Sequence, residues 1–445
     1  MGKKISIASI LTALLFCLSM VCWSGNSYAQ SADELKAQLK AMQQQMQNMQ
    51  RTMQAMQNKI DQLEGRAAVA APAAQGHSVW SKYNMQLYGK VKVDFNYDTA
   101  EFNKYNDFVG AVAAGPQHKN DSTNFNPRDT RFGVIASHSY ADWLVKGRFE
   151  IDFYGDNNGD NLIPRMRLAY VDLSNKSGTS IRVGQDWIPV ATLNPSTIDF
   201  GILTAAGNLW WRVPQLTVRQ KYGNIELTGS IMKHRRTDPS NEDRMPWVLA
   251  RVALNGGVLG AGNMLALGGG YRHADYGQNT SKNVDRWLIA AEAKYGMGPF
   301  LVKGELWTGK GIGRNFLRYD LDMAKDGSPA SAWGGWADIT YKVTPRVSVT
   351  AGYGFDNPNN DDIGPLTTGD DRRFTKNEQY FLNAWYSLSK PLKVGAEWIH
   401  IETERHQEIN TGNRYTCSLQ YLFENLESLN ELTKGAPLWA PFLLA

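Results

Sequence analysis

Four arginines stand where their chemistry would add up. Arg148 lies in Lys146-Gly147-Arg148-Phe149-Glu150, Arg165 and Arg167 open Arg-Met-Arg-Leu-Ala-Tyr-Val-Asp-Leu, and Arg182 lies in Ile181-Arg182-Val183-Gly184-Gln185-Asp186-Trp187. On an extended chain alternate residues share a side, so these guanidinium groups project together if the segments are neighbours. A planar guanidinium offers paired N–H donors that match a carboxylate, and several in a confined wet space lower the cost of holding anions there. Arg131, Arg212 and Arg219 are candidates to join them, and Asp199, in the polar stretch after Trp187, is the opposing carboxylate. A second reading stays open: the arginines simply pair with nearby acids, for example Arg148 with Glu150 or Asp152. For Arg131, Arg212 and Arg219 that pairing is the favoured expectation.

Other clusters promise less. Asp156-Asn157-Asn158-Gly159-Asp160-Asn161 has the oxygen density of a calcium loop without the spaced glutamate of an EF-hand, and residues 356–362 are similar. Gly309-Lys310-Gly311-Ile312-Gly313 resembles a phosphate cradle only in composition, and a loop is expected there. His234-Arg235-Arg236 at a loop start is a candidate for lipopolysaccharide phosphates, against a solvated charge cluster. His273, His400 and His406 have no nucleophile motif such as Gly-x-Ser-x-Gly nearby, so no enzyme is expected, and no cofactor or metal site.

The elements that would position the arginines have a period of two. Met85, Leu87, Val91, Val93, Phe95 and Tyr97 alternate with Tyr88, Lys90, Lys92, Asp94 and Asn96. The same pattern returns around Trp143–Phe153, Ile225–Ile231, Trp287–Tyr295, Val347–Phe355, Tyr380–Leu388 and Tyr415–Phe423. Each reads as a β-strand with one apolar and one polar face. The polar faces carry many charges, and the apolar faces often end in Trp, Tyr or Phe, as in a transmembrane barrel with a watery lumen and interfacial aromatic girdles.

Connector lengths sharpen this reading. Tight links at residues 139–141, 175–178, 222–224, 344–345 and 389–391 alternate with long polar ones at 99–128, 154–163, 188–208, 234–244, 309–329 and 356–374. That is the up-and-down outer-membrane barrel, with short turns in the periplasm and long loops outside. Counting strands from 84 to 423 gives about sixteen, a size that goes with a water-filled channel. A registry error of one residue would turn an arginine towards lipid, which is costly at mid-membrane depth and supports the lumenal assignment.

The front of the chain is different. Lys3 and Lys4, the apolar run from Ile5 to Val21, and Ser27-Tyr28-Ala29 read as a signal peptide over residues 1–29. Residues 30–66 carry Leu35, Leu39, Met42, Met46, Met49, Met53, Met56, Ile60 and Leu63 in steps of four and three, the seam of an α-helical coiled coil. A low-complexity linker fills 67–83, the barrel 84–423, and a tail 424–445 follows. With 47 basic and 43 acidic residues the net charge is only +4, which argues against nucleic acid as a partner. Only Cys417 remains after the signal, so no internal disulfide forms. No later apolar run is long enough for a membrane helix, and 41 Gly, 14 Trp and 19 Tyr suit a large β structure.

The hairpin carrying Arg165, Arg167 and Arg182, followed by the long stretch 188–208 after the fifth strand, resembles trimeric outer-membrane porins, which fold a constriction loop into the pore at this point. The closing strand Thr416-Cys417-Ser418-Leu419-Gln420-Tyr421-Leu422-Phe423 resembles their terminal signal, although residues 424–445 run past it. With a coiled coil ahead of the barrel, the chain is similar to the DcaP-type porins. The resemblance implies a homotrimer in the bacterial outer membrane, in contact with lipid and lipopolysaccharide, with the coiled coil in the periplasm. It also implies passive diffusion of small anionic, dicarboxylate-like solutes past Arg148, Arg165, Arg167, Arg182 and Asp199. The alternative is a structural anchor or adhesin with a plugged barrel and a cell-wall-facing rod.

Overall fold

A computed structural model describes residue 51 and residues 84–423 apart from 103–107, 156–161, 236–244, 277–281, 318–321, 325 and 364–373. Apart from Arg51, which is helical, the signal segment, the coiled-coil seam from Leu35 to Leu63, the linker and the tail lie outside the described residues, as do Asp156–Asn161 and Arg236.

The strands are β1 (Asn84–Asp98), β2 (Ser122–Asn126), β3 (Arg131–Tyr140), β4 (Trp143–Asp152), β5 (Arg165–Asn175), β6 (Thr179–Trp187), β7 (Arg212–Tyr222), β8 (Ile225–Met232) and β9 (Trp247–Asn255). They continue as β10 (Met264–Tyr276), β11 (Lys282–Met297), β12 (Phe300–Lys310), β13 (Ser331–Thr344), β14 (Val347–Pro358), β15 (Lys376–Ser387), β16 (Leu392–Glu404) and β17 (Ile409–Phe423). From β3 onward each strand pairs antiparallel with the next, and β1 closes the sheet by pairing with β17 on one side and with both β2 and β3 on the other. Residues 127–130 interrupt what is otherwise one strand, so β2 and β3 together occupy one position in a closed sixteen-strand barrel. Closure leaves no unpaired edge, the condition for a sheet to cross a membrane.

Alternation has the expected sense. Leu87, Val91, Val93 and Tyr97 of β1 are exposed on the outer wall, whereas Lys90, Lys92, Asp94 and Asn96 are buried inside. One break in the alternation matters. Glu150 pairs with Leu168 and Ile151 with Met166, so Arg167 is an extra residue in β5. This bulge lets Arg165 and Arg167 share the inner face with Tyr170 and Asp172, which a strict period of two would forbid.

The stretch 188–208, a constriction loop by resemblance, turns inward, and so do parts of two connectors expected outside, 99–128 and 309–329. Residues 188–208 lie inside the barrel, and Phe102, Val109, Val112, Leu203 and Ala206 pack on Trp336, Phe381, Ile399 and Ile401 of the inner wall. The segment after β12 also enters: Ile312, Phe316 and Leu317, around a four-residue helical turn Gly313–Phe316, pack with Ile188, Val190, Trp247 and Trp307. The Gly309–Gly313 run thus serves packing rather than cradling phosphate. Its helical turn is one turn long and buries its apolar residues.

Candidate functional site

The inner surface divides into two walls. The covered wall runs from β11 through β17 to β1 and carries inward acids that receive the main chain of residues 188–209. Glu292 accepts from the N–H of Thr192 and Leu193, Asp338 from Ser196, and Glu305 from Leu209. Glu397 accepts from Ile198 and Asp199, each at 2.7 Å. In return Lys92 donates to the Ile198 carbonyl at 2.6 Å, Lys303 to that of Asn194, and Trp307 Nε1 to that of Gly207 at 2.7 Å. A loop buried inside a barrel must find partners for its polar main chain, and charged acceptors are the strongest available.

Close approach is built in. Gly207 has φ +88°, and a Cβ on it would sit 2.2 Å from the Gly335 carbonyl oxygen; one on Gly354 of β14 would sit 2.2 Å from that of Ala206. Ile202 and Leu203 hold φ of 44° and 55°, left-handed values that are costly for side chains of this size. The docking contacts keep that tight turn in place.

Asp199 departs from expectation. It is buried, its Oδ1 accepts from the N–H of Val109 and Gly201, and its Oδ2 pairs with Arg414 at 2.7 Å. Arg414, with no exposure, also grips Asp98 through two 2.7 Å bonds. The loop therefore turns Phe200, not Asp199, towards the arginines. Phe200 stacks on Tyr154 at 3.9 Å, with the guanidinium groups of Arg165 and Arg167 at 5.5 and 6.0 Å from its ring.

The bare wall, β3 to β7, brings the predicted arginines together, each with partners. Arg148 bonds Tyr88 Oη at 2.6 Å and Glu150 at 3.0 Å; Arg165 bonds Asp152 at 2.7 Å. Arg167 is wedged between Glu150 at 2.6 Å and Asp152 at 2.8 Å, and Arg182 between Asp172 and Asp186, each at 2.6 Å. Arg131 pairs with Asp129 at 2.9 Å. Arg165 and Arg182 keep 29% and 23% side-chain exposure, against 2% for Arg167, so they are the paired arginines that solutes can reach.

Arg212 and Arg219, expected to pair, behave otherwise. Among the described residues neither makes an ion pair, and the same holds for Lys146 of β4. Arg212 lies over Trp187 at 4.6 Å and Trp210 at 5.8 Å, near Arg165 and Arg167. Arg219 stands near Arg182, Asp186 and Glu226 without bonding them. On β4 to β7, away from the turns, seven cations (Lys146, Arg148, Arg165, Arg167, Arg182, Arg212, Arg219) stand with four carboxylates, Glu150, Asp152, Asp172 and Asp186. The unpaired cations are the surplus. Sequence reasoning missed the inward turn of 108–114, whose run Phe-Val-Gly-Ala-Val-Ala-Ala was the available signal. His273 and Tyr271 share the carboxylate of Asp285 at 2.8 and 2.7 Å on the outer wall, away from the lumen.

Comparison with known proteins agrees with this geometry. The fold is similar to the outer-membrane channel DcaP of Acinetobacter baumannii, with TM-score 0.67 and 22% identity over 78% of this chain and 99% of that one. It is also similar to Pseudomonas putida OprB (TM-score 0.52, 10% identity, 77% and 94% covered) and to Salmonella typhi OmpF (TM-score 0.51, 12% identity, 77% and 98% covered). No curated protein matches the chain in sequence. The model of one family, the Gram-negative porins, matches residues 66–406, and with the closed barrel and inward loop this places the chain in the Gram-negative porin family.

Proposed function

We propose that this outer-membrane porin is a passive channel for small hydrophilic solutes that prefers anions of the dicarboxylate kind and performs no catalytic step. The observation that carries the reading is the surplus of cations on β4 to β7: away from the turns, seven stand against four carboxylates. Fixed charge at a narrow wet passage filters ions by sign. Arg148, Arg165, Arg167 and Arg182 are the selectivity residues of this reading, with Arg165 and Arg182 the most accessible of them. Asp199 serves by fixing the loop that narrows the passage.

The assembly in this reading is a homotrimer in contact with membrane lipid and lipopolysaccharide, its coiled coils at residues 30–66 lying in the periplasm. Support for the trimer comes from the resemblance to trimeric porins, and the seam from Leu35 to Leu63 supplies a means of association. Reversal potentials of the purified protein in a planar bilayer under a KCl gradient test the selectivity. A potential of anion-selective sign is expected, and one of cation-selective sign sinks the claim. A barrel that passes no ions favours the anchor instead. Deleting residues 30–74 and measuring the oligomer mass tests whether the coiled coil is needed for the trimer.

A further inference from the structure

The arginines of the bare wall differ in what their donors are doing. Arg182 spends Nε, Nη1 and Nη2 on Asp172 and Asp186, and Arg165 spends Nε and Nη2 on Asp152. Their planar edges, which a carboxylate needs for two-point binding, are largely occupied. Arg212 is held by its face instead. It lies over Trp187 at 4.6 Å and over Trp210 at 5.8 Å, so cation–π attraction fixes the plane while leaving the edge available. Among the described residues it has neither hydrogen bond nor ion pair, and it remains partly exposed. Trp187 also lies 5.8 Å from Arg167, so one indole orients two cations.

From this we infer that Arg212 is the specificity-determining residue of the channel: it binds one carboxylate of a passing solute through its free planar edge. The inference rests on the anion-preferring reading and names the residue that sharpens it. A single weak site of this kind lets a solute bind well enough to enter and still leave. The ion-paired arginines carry the general preference for anions, and Arg212 adds the two-point grip on a carboxylate.

The test compares full-length wild type with three variants in planar bilayers, reading the reversal potential in KCl and the concentration of succinate that half-blocks the current. R212Q is expected to raise the half-blocking concentration on the order of tenfold, the worth of one charge-assisted hydrogen bond, and to shift the reversal potential towards cations. R212K, which keeps the charge but not the planar fork, is expected to keep the reversal potential while losing part of the succinate block. K376Q/E378Q on β15 removes one cation and one carboxylate together outside the selectivity residues, and is expected to leave both readings as in wild type. If R212Q and R212K block like wild type, or if K376Q/E378Q loses as much as R212Q, the proposal is overturned while the anion-preferring reading stands. A wild-type channel of cation-selective sign overturns both.

Discussion

The two walls of the lumen are made of the same residue classes and do opposite things with them. On the covered wall Glu292, Glu305, Asp338 and Glu397 meet main-chain N–H groups of the loop, so each charge is spent on holding a position. On the bare wall the carboxylates meet side-chain cations and are outnumbered. A carboxylate can satisfy several N–H donors of a loop at once, whereas an arginine bound to a carboxylate cancels one charge and leaves the rest of the field intact. The covered wall sets how wide the passage is, and the bare wall sets what its surface offers.

Two substitutions try to break the covered wall. The largest effect is expected from Arg414→Met, which strands Asp98 and Asp199 in a site with no exposure to water. Breaking such a buried pair costs about 3–5 kcal/mol, read as a lowered urea midpoint of the folded barrel in detergent. The control on the other wall is Arg165→Gln. That side chain is 29% exposed and Asp152 keeps Arg167, so the loss should be about 0–1 kcal/mol. Next comes Glu397→Leu, which leaves the N–H groups of Ile198 and Asp199 without an acceptor and the Asn383 amide with the Ser196 carbonyl alone. Each orphaned buried donor costs about 1–3 kcal/mol. The loop should then leave the wall, seen as larger and noisier single-channel conductance with the sign of the reversal potential unchanged. A change of sign would mean that the covered wall also sets selectivity.

The strands and their facing were legible because period two is a local property, and the lumenal arginines followed from it. The bulge at Arg167 was not legible, since Arg-Met-Arg-Leu-Ala-Tyr-Val-Asp-Leu reads equally well without an extra residue. Pairing was misjudged for a physical reason: Arg212 and Arg219 resemble their neighbours in type and spacing, and only three-dimensional placement shows that the four acids are already engaged. Asp199 likewise looked like a pore-facing acid because its partner, Arg414, is 215 residues away in the chain. Inward loops leave a faint trace in sequence, an apolar run such as 108–114 inside a polar connector, and only its contacts with Ile399 and Ile401 of β16 give it a destination.

Charge on the bare wall can be lowered without touching a pair. Lys146→Gln with Arg219→Gln removes two cations that bond no carboxylate among the described residues, so stability should hold while selectivity moves. A unit charge 4 Å from an ion in water is worth about 1 kcal/mol, about fivefold in occupancy. A several-fold fall in the anion-to-cation permeability ratio is expected. The fall should grow as salt is lowered, because the screening length lengthens from about 10 Å at 0.1 M to about 30 Å at 0.01 M. A ratio unchanged at both salt concentrations would show that the field comes from the paired arginines alone.

The smallest effect is expected where the two walls meet. Phe200 leaves the loop to stack on Tyr154 at 3.9 Å, packs edge-on against Phe108 at 5.8 Å, and sits beside Arg165 and Arg167. Phe200→Leu keeps an apolar side chain of similar bulk, so no large cavity opens, but it removes the π face. Aromatic pairs of this kind contribute about 0.5–1.5 kcal/mol beyond their buried area, which sets the expected loss in urea stability. Arg165 and Arg167 keep their bonds to Asp152 and Glu150, so the charge of the bare wall is unaltered and the reversal potential should not move. Unitary conductance should change only slightly, because Glu397 and Asp338 still hold the loop on the far side. A marked shift in selectivity from this one change would mean that the arginines act through the ring that orients them, and the division of labour between the walls would have to be redrawn at Phe200.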